Sequence, residues 1–150
     1  MTQPTTTQPE IGLLRTQAFK ACAEGRQQEA RRLLENAIEI STQIGEQPDC
    51  EVLGDLAAMA VQDGELLRAI ALSRKVLALQ PQHDMSQFTL ALCLAGVGLH
   101  ADALRLHEEL AAGERGERFA QQNPELAKMT LAEVTRLRAI STGTQPAAAH

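Results

Sequence analysis

AAMAVQDGELLRA, residues 57–69, places Ala57, Gly64 and Ala69 at intervals of seven and five. The same intervals recur in AFKACAEGRQQEA at 18–30 and in ALCLAGVGLHADA at 91–103. The copies are Ala18–Gly25–Ala30, Ala57–Gly64–Ala69 and Ala91–Gly98–Ala103, spaced by 39 and then by 34 residues. A near-fixed period in this range marks a solenoid of helix–turn–helix units. Each element of the skeleton has a physical role. The central Gly ends one helix, because Gly takes the left-handed C′ conformation without steric cost. The small residues on either side let two antiparallel helices approach closely.

Composition agrees with a helical chain. Apolar residues make up 44% of the 150, enough for one domain with a real core. The aromatics are only Phe19, Phe88 and Phe119, so Leu, Ala, Val, Ile and Met must fill the core. These include strong helix formers, and low β-branched content argues against sheets. The net charge of −5 and the scarcity of stacking rings argue against a nucleic-acid partner. The apolar runs fall short of the roughly 20 residues that span a bilayer, which argues against membrane insertion. Residues 1–10 carry neither a basic cluster nor an apolar run, so no secretory leader is expected there, and the expected location is cytoplasmic. Three scattered cysteines, Cys22, Cys50 and Cys93, fit reduced thiols better than a disulfide framework.

Along the chain the pattern predicts a disordered tail at 1–10, one domain at 11–141 and a second disordered tail at 142–150. Seven helices are expected. Three pairs cover about 11–24 and 26–43, 50–63 and 65–79, and 84–97 and 100–112. The polar loop at 45–49 absorbs most of the five extra residues of the first unit. A Gly/Arg/Glu-rich link at 113–118 leads to a last helix over 123–141. Asn123-Pro124-Glu125 reads as its start: an N-cap acceptor, Pro at N1 and an acid in the first turn. Leu126, Met129, Val134, Leu137 and Ile140 give it one apolar stripe. Such a stripe suits a helix that caps the open end of a solenoid.

Aligned from Ile11, Cys50 and Asp84, the three units resemble the tetratricopeptide repeat family, whose unit is 34 residues in two helices. The resemblance covers 11–117, as repeats at about 11–49, 50–83 and 84–117. The family's small residue at position 8 is matched by Ala18, Ala57 and Ala91. Its Gly at 15 is matched by Gly25, Gly64 and Gly98, and its Ala at 20 by Ala30, Ala69 and Ala103. Pro81 matches the Pro at 32 of the second unit. The family's large aromatics are absent: position 24, for example, holds Leu34, Ser73 and His107. The resemblance implies an all-α fold: a right-handed solenoid of three repeats plus the C-terminal capping helix.

It also implies a concave face lined by the first helix of each repeat. The first unit then offers Arg15, Phe19 and Cys22; the second offers Ala58, Val61 and Gln62; the third offers Met85, Phe88, Leu92 and Ala95. This trough is mostly apolar, which fits an apolar peptide or helix of a partner protein. One subgroup of the family clamps acidic chaperone tails with Lys, Arg and Asn at five positions. This chain keeps Arg15 but then has Phe19, Asp55, Met85 and Thr89, so that ligand is rejected. A second subgroup, the small acidic chaperones of type III secretion, matches in size, acidity and trough. A third reading is self-association: a homodimer would hide the same apolar residues.

Chemistry has little foothold in the residues. His100 and His107, with Cys93 before them, are each seven apart, so successive side chains stand about two turns, roughly 10 Å, apart. That is too far to share one metal ion at about 2.0–2.3 Å. No phosphate loop, HExxH or GxSxG occurs. The expectation is a non-enzymatic interaction module without catalytic residues, metal or cofactor.

Overall fold

A computed structural model describes residues 7–143. These residues form eight helices in order: α1 (Thr7–Ala23), α2 (Gln27–Gln43), α3 (Cys50–Gln62), α4 (Leu66–Leu79), α5 (Asp84–Gly96), α6 (His100–Ala111), α7 (Gly113–Gln122) and α8 (Pro124–Ser141). The described residues are 83% helical, with no strand among them.

The three turns inside the pairs are built alike. Gly25, Gly64 and Gly98 have φ of 79°, 77° and 92°. At each, the Gly N–H donates to the carbonyl three residues back, Cys22, Val61 or Ala95, at 3.0–3.1 Å. The next N–H, from Arg26, Glu65 or Leu99, donates at 2.8 Å to the carbonyl of Ala21, Ala60 or Leu94. This double bond pattern satisfies carbonyls that the helix end would otherwise orphan, and it reverses the chain within three residues. The partner helices are therefore antiparallel neighbours. All six alanines of the skeleton are buried, at 0–2% exposure, so the helices meet where a side chain larger than Ala would hold them apart.

The pairs then stack. Val52, Leu56 and Met59 of α3 close over Ile11, Ala18 and Leu34 of the first pair. Ala69 and Ile70 of α4 join Leu90, Ala91 and Leu94 of α5 with Leu106 of α6. The longer link at 44–49 ends at Asp49, whose carboxylate accepts from the N–H groups of Glu51 and Val52 at 2.9 and 3.2 Å and so starts α3. The corresponding start of α5 uses His83, whose Nδ1 accepts from the Ser86 N–H at 3.2 Å.

The C-terminal third differs from the sequence expectation. The link at 113–118 is part of a helix, α7, which makes eight helices among the described residues where seven were expected. Phe119 drives this. It is 1% exposed and clusters with Phe88 and Leu110. Arg115 fastens the start of α7, donating to Asp84 Oδ1 at 2.8 Å and to Gln87 Oε1 at 3.0 Å. Gly116 is needed for the tight approach: a Cβ there would lie 2.3 Å from the Ala111 carbonyl oxygen.

As expected of a cap, α8 packs along α6. Pro124 opens it, but the Asn123 side chain makes no capping bond; the Asn123 carbonyl accepts from the Ala127 N–H at 2.9 Å. The inward stripe is Thr130, Val134 and Leu137, all buried, flanked by the half-buried Leu126 and Ile140, whereas Met129 is 46% exposed. Met129 stands at the margin of the helical face that the others share. At the other end, α1 begins at Thr7, inside the segment expected to be a tail. The rest of that expected tail, and the C-terminal one beyond Gly143, lie outside the described residues.

Three stability outcomes follow. Gly64→Val forces a β-branched residue into the left-handed region and should lower stability by about 1–2 kcal/mol. Gly12→Ala, in mid-helix with open space around it, should raise stability by about 0.5–1 kcal/mol. Denaturant midpoints of the two variants check the pair. Phe119→Ala empties a fully buried site and should cost about 3–5 kcal/mol, read in the same way.

Candidate interaction cleft

Between α1 and α3 a cleft of about 740 Å³ opens. Arg15, Phe19 and Cys22 come from α1, and Asp55, Ala58 and Gln62 from α3. Side chains four and three apart on one helix share a face, so Arg15, Phe19 and Cys22 line one wall together. Leu34 and Gln27 of α2 also line the cleft, with Met59 of α3. Phe19 is 79% exposed, although it is one of only three aromatic residues in the chain.

The charged groups of this region pair among themselves. Arg15 Nε donates to Asp55 Oδ2 at 2.7 Å, and its terminal nitrogen reaches Glu51 Oε2 at 3.5 Å. Glu51 Oε1 in turn lies 3.2 Å from His83 Nε2, which links α3 to the start of α5. Arg15 is held in its charged form first by the hydrogen bond to Asp55 and then by the nearby carboxylates, against the cost of its burial. Its charge is thus matched across the cleft by carboxylates of α3. A partner gains nothing by bringing a carboxylate to it, while Asp55 and Glu51 would repel one. Facing Arg15, Phe19 and Cys22, α3 offers Asp55, Ala58, Met59 and Gln62, which leaves Phe19 as the largest exposed apolar side chain of the cleft.

Of the ten residues expected in the trough, five line this cleft: Arg15, Phe19, Cys22, Ala58 and Gln62. The other five do not continue it. Val61 is half-buried against the core shared by the second and third repeats. Ala95 is 9% exposed in that same core. Phe88 is 5% exposed and is a core residue, not an open anchor. Its ring lies 6.4 Å from that of Phe119, and Leu92 and Leu126 pack against the same cluster. For Phe88 and Leu92 the reason is the added helix: α7 and the start of α8 pack against them. Met85 remains 45% exposed, beside a shallower hollow of about 430 Å³ formed with the 80–84 link and with Gln122 and Asn123.

Sequence reasoning missed the contribution of α2 to the cleft. Gln27 reaches it because the turn before α2 is so short; Cys22 Sγ stands 3.7 Å from Gln27 Oε1. It also missed Asp55 as a partner of Arg15, although the two occupy facing positions on consecutive first helices. All three cysteines are free, and burial pushes the Cys50 and Cys93 thiols up from their ordinary range, away from thiolate chemistry. Among the described residues no group of three or more His, Cys, Asp or Glu could hold a metal ion, and no helix is long and apolar enough to cross a membrane.

No family model and no curated protein matches the sequence. The structure is similar to solved ones. The crystal structure of the Sgt2 TPR domain from Aspergillus fumigatus superposes with a TM-score of 0.69 at 19% identity, over 95% of this chain and 88% of that one. Putative kinesin light chain TPR-like repeats from Podosopora anserina superpose with a TM-score of 0.59 at 22% identity, over 87% of this chain and 76% of that one. A Q17M form of the same repeats gives the same score and identity. The chain has the fold of tetratricopeptide repeat domains.

Proposed function

We propose that the chain is a protein-interaction module. Its cleft between α1 and α3 receives an apolar side chain or short apolar segment of a partner, presented on a peptide or helix. One observation carries this reading: Phe19 stands 79% exposed in the wall of a cleft that the fold makes concave. Exposing a large ring to water costs free energy, and binding recovers it. The charge-matched pairing of Arg15 with Asp55 and Glu51 across the cleft favours an apolar ligand over an acidic tail. The reading needs no catalytic group, metal or cofactor, and it fits a cytoplasmic protein.

Two narrower versions share this cleft. In one, the ligand is an apolar segment of a type III secretion translocator or needle protein held before export. In the other, the ligand is a second copy of the chain, and Phe19 becomes a dimer contact. The exposure of Phe19 is common ground for both, because either occupant would cover it.

A displayed library of helical and extended peptides, selected against the full chain, tests the proposal. Phe19→Ala should weaken the selected peptides by about 1–3 kcal/mol, since binding energy concentrates in a few large anchors. Arg74→Glu, an exposed change on α4, should leave them unaffected. Sedimentation of the parent and of Phe19→Ala separates the dimer version, which requires a concentration-dependent dimer lost in the variant. Peptides that bind Phe19→Ala as tightly as the parent, with both folded, would overturn the cleft as the binding site.

A further inference from the structure

His107 lies where α6 meets the C-terminal helices, away from the cleft. It is 0% exposed, and neither ring nitrogen has a hydrogen-bond partner. Its register position is a core position: the equivalents in the first two repeats are Leu34 and Ser73, both buried. Phe88 of α5 stands edge-on to the imidazole, with ring centroids 6.0 Å apart and an interplanar angle of 77°. On the buried face of α8 the Thr130 hydroxyl is also without a partner. A neutral imidazole fits such a place as a flat, weakly polar ring. An imidazolium does not, because it carries a charge and two N–H donors and finds no acceptor.

The charged groups around the ring do not repair this. From α8, Glu133 favours the imidazolium and Arg136 opposes it. These two are already bonded to each other, at 2.8 and 3.0 Å. Glu133 is held below the usual carboxylate range, first by its bond to Arg136, so it stays ionised as the solution acidifies. On α5 the sole carboxylate, Asp84, is engaged by Arg115 of α7, and the Cys93 thiol is buried. The other charges of α7, Glu114, Glu117 and Arg118, are exposed. On α6 itself Glu108 is bonded to Arg138 and Glu109 to Gln87. Burial is the leading influence on His107 and pushes its proton affinity down.

We propose that α7 and α8 form a proton-responsive cover: protonation of His107 weakens the docking of α8 on α6 and opens the Phe88–Leu110–Phe119 cluster to solvent. The direction follows from linkage. An undocked His107 binds its proton near the ordinary histidine value, and a docked one does so only at lower pH. Docking is therefore strongest above about pH 6.5. Below that the open form gains up to about tenfold per pH unit, until the docked value is also reached.

Hydrogen exchange of the full chain from pH 8 to pH 5, corrected for intrinsic exchange, tests this on the parent, His107→Leu and His100→Gln. The parent should lose protection in α7 and α8 below about pH 6.5, by up to about tenfold per unit, with less change in α1 to α4. His107→Leu, which copies the residue at the same register in the first repeat, should abolish the loss. His100→Gln should retain it. Protection that is independent of pH in the parent, or the same loss in His107→Leu, would overturn the proposal. If His107→Leu does not fold, the ring resonances of the parent decide. A His107 that titrates at or above 6.5 while α8 stays protected refutes the cover; one that titrates only as α8 opens supports it.

Discussion

Close approach of paired helices at alanine contacts is the constraint on which everything else rests. Six alanines at 0–2% exposure let the two helices of each pair meet nearly backbone to backbone. The glycine turns then fix where each helix stops and how sharply the chain returns. Once the pairs are formed, each presents an apolar face too wide to leave in water, and stacking is the only way to cover it. The cleft between α1 and α3 is a by-product of that stacking. It gathers side chains from successive first helices, which is why residues 36 and 40 apart in sequence, Glu51 and Asp55, both bond to Arg15.

The two ends of the stack are treated differently. At the third repeat the chain spends α7 and α8 on closing its own surface. Phe119 seals Phe88, and a network through Arg115, Asp84, Gln87 and Glu109 holds the seal in place. At the first repeat Phe19 has no such cover among the described residues. The apolar trough that runs through all three repeats in the sequence is thus shortened, in the folded chain, to a cleft over the first two. The cover itself contains a flaw by the usual standard of cores, a buried imidazole and a buried hydroxyl without partners. Buried polar groups left unpaired are uncommon and costly.

Much of this architecture was legible in the residues. The Ala–Gly–Ala skeleton located all six paired helices to within a few residues, because its glycines must adopt a conformation that other residues avoid. The helix of 113–122 was hidden because two glycines and a run of charged residues read as a connector. Its helicity comes from tertiary contact, since Phe119 and Arg115 each gain a partner only when α7 docks. The same fact misplaced Phe88: a register position says which helix face a residue occupies, not whether a distant segment returns to cover it. Met129 and Thr130 exchanged roles for a smaller reason. Polarity argued for Met129 in the stripe, whereas the helical angle favoured Thr130.

The link at 44–49 has a consequence for how the chain could be divided. Its residues are largely exposed, and its length already departs from the repeat period. Segments of this kind tolerate cutting and insertion far better than the helices they join. Severed there, the described residues divide into a two-helix piece and a six-helix piece. Their mutual face is already written in Ile11, Ala18 and Leu34 on one side and in Val52, Leu56 and Met59 on the other. Each half carries one wall of the cleft, so reassembly of the split protein and restoration of the cleft are the same event.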